Sequence, residues 1–351
     1  MIDTATAQGK ARPYKPSGID RLTAWVATLP LPAWALYSGI GLALILVQIL
    51  FLWLDGGLGA VELLPVVIYN ALLTSFGLAL IHLLDNQAVT ALDTMSPTLE
   101  MTEPEFDEVR YRLSTMPLPA PLVAGLALLA LVVLMEQLSA LPVRYAALGG
   151  LPVFSVVFQI VDKSSALLMG VLLYHTIRQL RMVNNVNARY ARVNLFNQGP
   201  LQAFSRLTAS TAVGLVVGVY GWIVINPDLL ADPVSLVFLA ALTLLAVAVF
   251  VWPLLGTHRL MEAEKARMLH DLDLRFEAAF AQLYQRLEED DYAGIDRLNA
   301  TISSLEIQRR RIGSVPTWPW RLGTARFALT AIGLPLLLTT IQLLIQRALE
   351  G

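Results

Sequence analysis

The sequence predicts an all-α membrane protein: a polytopic bundle of about seven transmembrane helices with a cytoplasmic helical hairpin between the sixth and seventh. Three observations predict it. Of 351 residues, 56% are hydrophobic and only 15% charged, where a soluble domain carries about 25% charged residues. Apolar runs long enough to cross the hydrocarbon, about 20 residues each, recur along the chain. One block, 257–323, is instead polar and helical in its periodicity. Only helices satisfy every backbone group in lipid, and no alternating ten-residue pattern points to a barrel.

Residues 1–32 hold Lys10, Arg12, Lys15 and Arg21 among Pro13, Pro16, Pro30 and Pro32, and read as a flexible cytoplasmic tail. An amphipathic approach at 19–29 carries Trp25 to the headgroups. Candidate spans follow at 33–54, 62–84, 118–140, 152–177, 208–225, 233–255 and 325–346. The first six form a membrane domain, 33–256, with cytoplasmic connections at 86–117 and 178–207, and 325–351 adds the seventh span and a short outer tail. In 86–117, Thr102 and Glu105 ahead of Phe106, Val109 and Leu113 make a capping-box start to a short amphipathic helix on the membrane surface. Segment 178–207 first continues the fourth span, breaks at Gly199-Pro200, and re-enters through Phe204 and Leu207.

Orientation follows from the basic residues, which accumulate on the cytoplasmic side. Of 25 Lys and Arg, 22 fall in the tail, the two connections and 257–326. That places the N-terminus in the cytoplasm and, after seven crossings, the C-terminus outside, in the cell (inner) membrane. The tryptophans at 25, 34, 53, 222, 252, 318 and 320 fall beside expected membrane edges, where amphipathic rings settle.

The hairpin, 257–324, has arms at 257–289 and 295–312 joined by a polar turn, Glu288 to Gly294. Leu269, Phe276 and Leu283 repeat every seven residues, and Phe280 and Leu287 mark a second line beside them. In the other arm Ile295, Leu298, Ile302 and Leu305 step by three and four, a seam suited to an antiparallel coiled-coil pair. So few heptads are marginal alone. The pair is therefore expected to lean on the bundle, a second copy of the chain, or a protein partner.

Several function classes are disfavoured. The near balance of 25 basic and 27 acidic residues argues against a nucleic-acid partner. With no cysteine there is no thiolate metal site or Cys nucleophile. No Gly-rich phosphate loop, GxSxG elbow or HExxH occurs, so neither catalysis nor a cofactor is expected. His82, Asp85 and His175 share a level in the bundle, but they read as interfacial residues rather than metal ligands.

The sharpest oddity is Asp162-Lys163, midway along the fourth span and roughly 16 Å from its nearer end. Ionisable groups at such depth face protein or water and are functional by default. Asp162 shares a polar-to-small stripe with Ser155, Gln159, Ala166 and Gly170. Two readings stand side by side. In one, Asp162, Lys163, Gln159 and Glu136 line an ion or proton path. In the other, the charges neutralise one another, or Lys163 locks onto Glu136 of the third span. Position alone places Glu136 in the outer headgroup region. Ser210, Gly214, Gly218 and Gly221 form a small-residue ridge that lets another helix approach closely. The functional expectation is a signalling, interaction or assembly component acting through the hairpin; the alternative is an ion channel or proton-coupled transporter using Asp162 and Lys163.

Overall fold

The computed structural model describes residues 12–57, 63–138, 150–190, 195–196, 203–225, 233–289 and 294–318, with four isolated positions after them. The expected seventh span, 325–346, lies outside the described residues apart from Arg326, Thr330 and Gly333, which are helical. Every regular element described is a helix: α1 (Gly18–Thr28), α2 (Ala33–Leu54), α3 (Leu64–Met95), α4 (Glu103–Ser114), α5 (Ala120–Leu138), α6 (Pro152–Tyr190), α7 (Ala203–Ile225), α8 (Pro233–Glu288) and α9 (Ile295–Gly313).

Six of these are long and apolar enough to cross a bilayer, on α2, α3, α5, α6, α7 and α8, and they suggest a membrane protein. Their outward faces agree, because Leu42, Leu46 and Leu50 on α2, Leu122 and Leu126 on α5, and Val156 and Ile160 on α6 are all exposed. In water that much contiguous apolar surface would drive association, whereas lipid solvates it.

The bundle is organised around α3 and α6. α3 packs against α2, α4, α6 and α7, while α6 also holds α5 and α8. The largest buried cluster joins Leu84, Leu92 and Met95 of α3 to Leu113, Leu172, Val183 and Phe204. The small-residue ridge of α7 faces inside this chain. Gly214 lies under Leu80, and a β-carbon on Gly221 would come within 3.0 Å of the Tyr69 ring.

Local chemistry sets the helix ends. Ser17 and Asp20 cap α1 reciprocally, with Ser17 N–H donating to Asp20 Oδ2 at 2.8 Å and Asp20 N–H to Ser17 Oγ at 3.2 Å. At α4 the Thr102 hydroxyl and N–H both donate to Glu105 Oε2 at 2.7 and 2.9 Å. Those bonds, the hydroxyl's foremost, hold the Glu105 carboxyl below its ordinary range.

Three boundaries differ from expectation. α3 continues past residue 84 to Met95, because Ala88, Ala91 and Leu92 keep its buried face going. The sixth span and the first hairpin arm are one 56-residue helix, continuous through Pro253 and Gly256. Gly256 is where α8 meets α6: the Asn184 carboxamide occupies the place a β-carbon would take. Residues 12–17, read as part of a flexible tail, are packed instead, and α1 stands where the amphipathic approach was expected at 19–29. Tyr14 donates to Thr115 O at 2.9 Å, Tyr111 donates to Tyr14 O at 2.7 Å, and Asp20 Oδ2 accepts from Met116 N–H at 2.8 Å.

At the crossing of α5 and α6, backbone meets backbone. A β-carbon on Gly125 would sit 2.8 Å from the Leu167 carbonyl oxygen, and one on Gly170 2.7 Å from that of Ala124. Gly125→Val is expected to destabilise the chain by the cost of overpacking, about 1–3 kcal/mol. Gly39→Val, whose β-carbon meets nothing within 4 Å, serves as the control in a thermal unfolding series in detergent.

Candidate functional site

Asp162 and Lys163 lie ten and eleven residues past Pro152, so roughly 15 Å along α6 from its start. Lys163 Nζ donates to both oxygens of Glu136, at 2.5 and 2.6 Å, and to Asp162 Oδ2 at 2.9 Å. Asp162 Oδ1 accepts from Asn70 Nδ2 of α3 at 2.9 Å. One ammonium thus serves two carboxylates drawn from two helices.

The cluster forms the polar end of a cavity of about 190 Å³ between α3, α5, α6, α7 and α8. Leu128, Val132, Met169, Leu215, Leu242 and Leu245 make its apolar wall. Tyr69 and Trp222 border it with rings 5.4 Å apart, and the Tyr69 hydroxyl is spent on the Gly218 carbonyl at 2.6 Å. What faces this space is carboxylate, carboxamide, aromatic face and hydrocarbon. Such a site offers room for an apolar body beside a set of paired charges.

The structure brings Asp162, Lys163 and Glu136 into contact but leaves Gln159 out. Gln159 is exposed on the outer side of α6. Three residues turn an α-helix short of a full circle by about 60°, enough to carry Gln159 off the inward stripe. Glu136 is not isolated in the headgroup region but level with Lys163. Asn70 and Tyr69 were not legible as site residues; the only signal was a lone carboxamide inside an apolar run. Trp222 packs at the cavity instead of serving only as an interfacial ring.

A second polar cluster lies some 13 residues further along α6. His175 is fully buried, and its Nε2 lies 2.7 Å from Asp85 Oδ1, which also accepts from Gln179 Nε2 at 2.9 Å. His82 Nδ1 bonds the Tyr37 hydroxyl at 2.9 Å instead of joining that pair. Among the described residues no three His, Asp or Glu side chains are grouped as a metal would require. Arg178 donates to Thr115 O at 2.6 Å and to the Tyr14 hydroxyl at 2.5 Å, tying residues 12–17 over this end of the bundle.

At the far end of α8, Leu272, Ala279, Leu305 and Ile312 are buried between α8 and α9, with Leu269, Phe276 and Ile302 packed against them. Leu283, Ile295 and Leu298 are half-buried. Phe280 and Leu287 depart from the expected seam, being 41% and 44% exposed, and Tyr284 between them is 65% exposed. The seam runs through 272, 276 and 279, so position 280 is turned about 100° away from its neighbour 279.

No family model matches the chain, and neither the curated proteins nor the solved structures yielded a significant match.

Lys163→Met removes the partner that Asp162 and Glu136 share in an apolar setting. It is expected to destabilise by about 3 kcal/mol, the scale for removing one partner of a buried pair. Adding Asp162→Asn and Glu136→Gln to that variant should recover most of the loss. Unfolding midpoints of the single and triple variants, measured in one detergent, check this.

Proposed function

We propose that the chain is a multi-pass protein of the cell (inner) membrane that moves protons in a coupled transport cycle through Asp162, Lys163 and Glu136. The observation that carries this reading is a cluster of ionisable groups at mid-helix depth: Asp162, Lys163 and Glu136 meet at the end of a cavity. Ionisable groups at such depth mark ion and proton paths by default, and a carboxylate facing such a cavity is the group that would carry the proton. Taking up that proton from one side of the bilayer and releasing it to the other is the elementary act of a proton-coupled carrier. The sense of crossing rests on the 22 basic residues of 25 that share one side. On that basis the N-terminus and the α8–α9 hairpin are cytoplasmic, 325–346 is a seventh span, and the C-terminus is outside.

Proteoliposomes with a trapped pH-sensitive dye test the proposal. A pH gradient is imposed in sodium or potassium salts and again in salts of organic cations. At least one condition is expected to dissipate the gradient with wild type, and Asp162→Asn to lower that rate at least tenfold. Equal rates for wild type, Asp162→Asn and empty vesicles in every condition would sink the reading.

A second reading, that the hairpin engages a second copy or a partner protein, is favoured by Phe280, Tyr284 and Leu287. They leave an exposed apolar line along α8, four and then three residues apart. Phe280→Ser with Leu287→Ser is expected to reduce the mass of the detergent-solubilised assembly by light scattering and to leave proton movement unchanged. An unaltered mass would remove homo-assembly through this line.

A further inference from the structure

We infer that the groove between α6 and α8 binds an anionic phospholipid, its phosphate on Arg181 and one acyl chain in the apolar end of the cavity. The inference stands apart from the proton-coupled reading, since it concerns what enters from the bilayer. It begins with the pairing of Arg181 and Trp252. The guanidinium carbon lies over the indole ring, 5.9 Å from its centroid. Arg181 is exposed, Trp252 is 52% exposed, and among the described residues no carboxylate pairs with Arg181. A guanidinium resting on an aromatic face keeps its N–H fork free at the edge, where it fits a phosphate. Tryptophan and arginine together at the end of a membrane-length apolar run mark the headgroup level.

Continuity ties this pair to the cavity. On α6, Leu173, Ile177 and Arg181 are four residues apart, and on α8 Leu245, Ala248 and Trp252 step by three and four, so each set forms one stripe. The two helices pack together. Leu173 and Leu245 line the cavity, Ile177 is half-buried and Ala248 is exposed, its small side chain leaving room for a chain to pass. Arg181 also lies about three turns past Gly170, on the side of α6 that α5 crosses. α5 leans on α6 and meets α8 only lightly, so the stripes run along a seam that faces the bilayer. The lengths agree. From Trp252 it is about 10 Å along α8 to Leu245 and about 15 Å to Leu242. The chains of one leaflet cover about 15 Å, half of a hydrocarbon core of about 30 Å. Asp162 lies about 28 Å from Arg181 along α6, so the chain ends among the leucines, short of the charged cluster. An acyl chain asks nothing of that lining but dispersion contacts. Arg259, exposed one heptad beyond Trp252 on the same stripe, extends the basic edge, while Glu262 lies 3.7 Å from His258.

A free anion could satisfy Arg181 alone, so the test separates head from chain. Delipidated full-length protein in detergent is titrated, by native mass spectrometry, with dioleoylphosphatidylglycerol and with dioleoylphosphatidylcholine. The second shares the chains and the phosphate but carries no net charge. The anionic lipid should bind at least tenfold more tightly. Arg181→Gln should lower its affinity about fivefold, the scale for one arginine at an anionic surface. Arg110→Gln, at the salt bridge with Asp93, should not change it. Ala248→Phe, which fills the groove at an exposed position and alters no charge, should weaken both lipids at least fivefold. Millimolar inorganic phosphate should not compete. A phosphatidylglycerol with a diazirine near the end of one chain should crosslink to the α8 peptide that holds Leu242 and Leu245. Equal affinity for the two lipids, the same affinity in Arg181→Gln as in Arg110→Gln, wild-type binding in Ala248→Phe, or crosslinks confined to other helices would each overturn the inference. Competition by inorganic phosphate would reduce the site to one for a free anion and overturn it as well.

Discussion

An ammonium group in the middle of an apolar helix must be neutralised by protein, because lipid offers nothing for it. Lys163 is met by carboxylates from its own helix and from α5, and the packing of three helices follows from that need. The Gly125–Gly170 crossing brings α5 and α6 close enough for the antiparallel pair to share a charge. From that crossing, eleven residues along α5 lead to Glu136 and seven back along α6 lead to Lys163, and the length of the lysine side chain absorbs the difference. α3 then supplies Asn70 to the one Asp162 oxygen that Lys163 leaves over. The polar groups therefore specify which helices are neighbours, while the apolar ones supply cohesion without choosing among partners.

The same logic operates twice along α6. Asn70 meets Asp162 and, fifteen residues further along α3, Asp85 meets His175 and Gln179. Two polar contacts about 20 Å apart along α6 fix the register of the parallel α3–α6 pair, which leucine and valine contacts alone would leave free to slide. At the second position the bundle is closed by residues 12–17, where Arg178 is bonded to Tyr14 and Thr115. His175 Nδ1 and Asp20 Oδ1 remain buried without a protein partner among the described residues, so that end is less fully satisfied than the cavity end.

Helix content and the approximate spans were legible because lipid imposes length and composition on each segment separately. The start of α4 was legible from Thr102 and Glu105, a signal confined to four residues. Pairwise geometry was not. That Asn70 lies beside Asp162, or Asp85 beside His175, depends on helix neighbours that no local pattern encodes. Gln159 shows the limit of periodicity, since a step of three residues drifts enough to leave a face. Phe280 and Leu287 show it again: two heptad lines lay side by side in the sequence, and only the one through Phe276 is packed against α9. The packing of residues 12–17 was not legible, because prolines and basic residues describe a tail equally well whether or not Tyr14 finds partners.

The continuity of α8 has a mechanical consequence. Leu242 and Leu245 line the cavity near one end of this helix, while the contacts with α9 lie near the other. From Leu245 to Glu288 is roughly 65 Å of unbroken helix, so a tilt of about 5° at the cavity displaces the far tip by roughly 6 Å. A rod of this kind acts as a pointer. A small change of tilt set beside Asp162 would therefore be largest at Phe280 and Tyr284, and one set at that distal stretch would be felt least at the cavity wall.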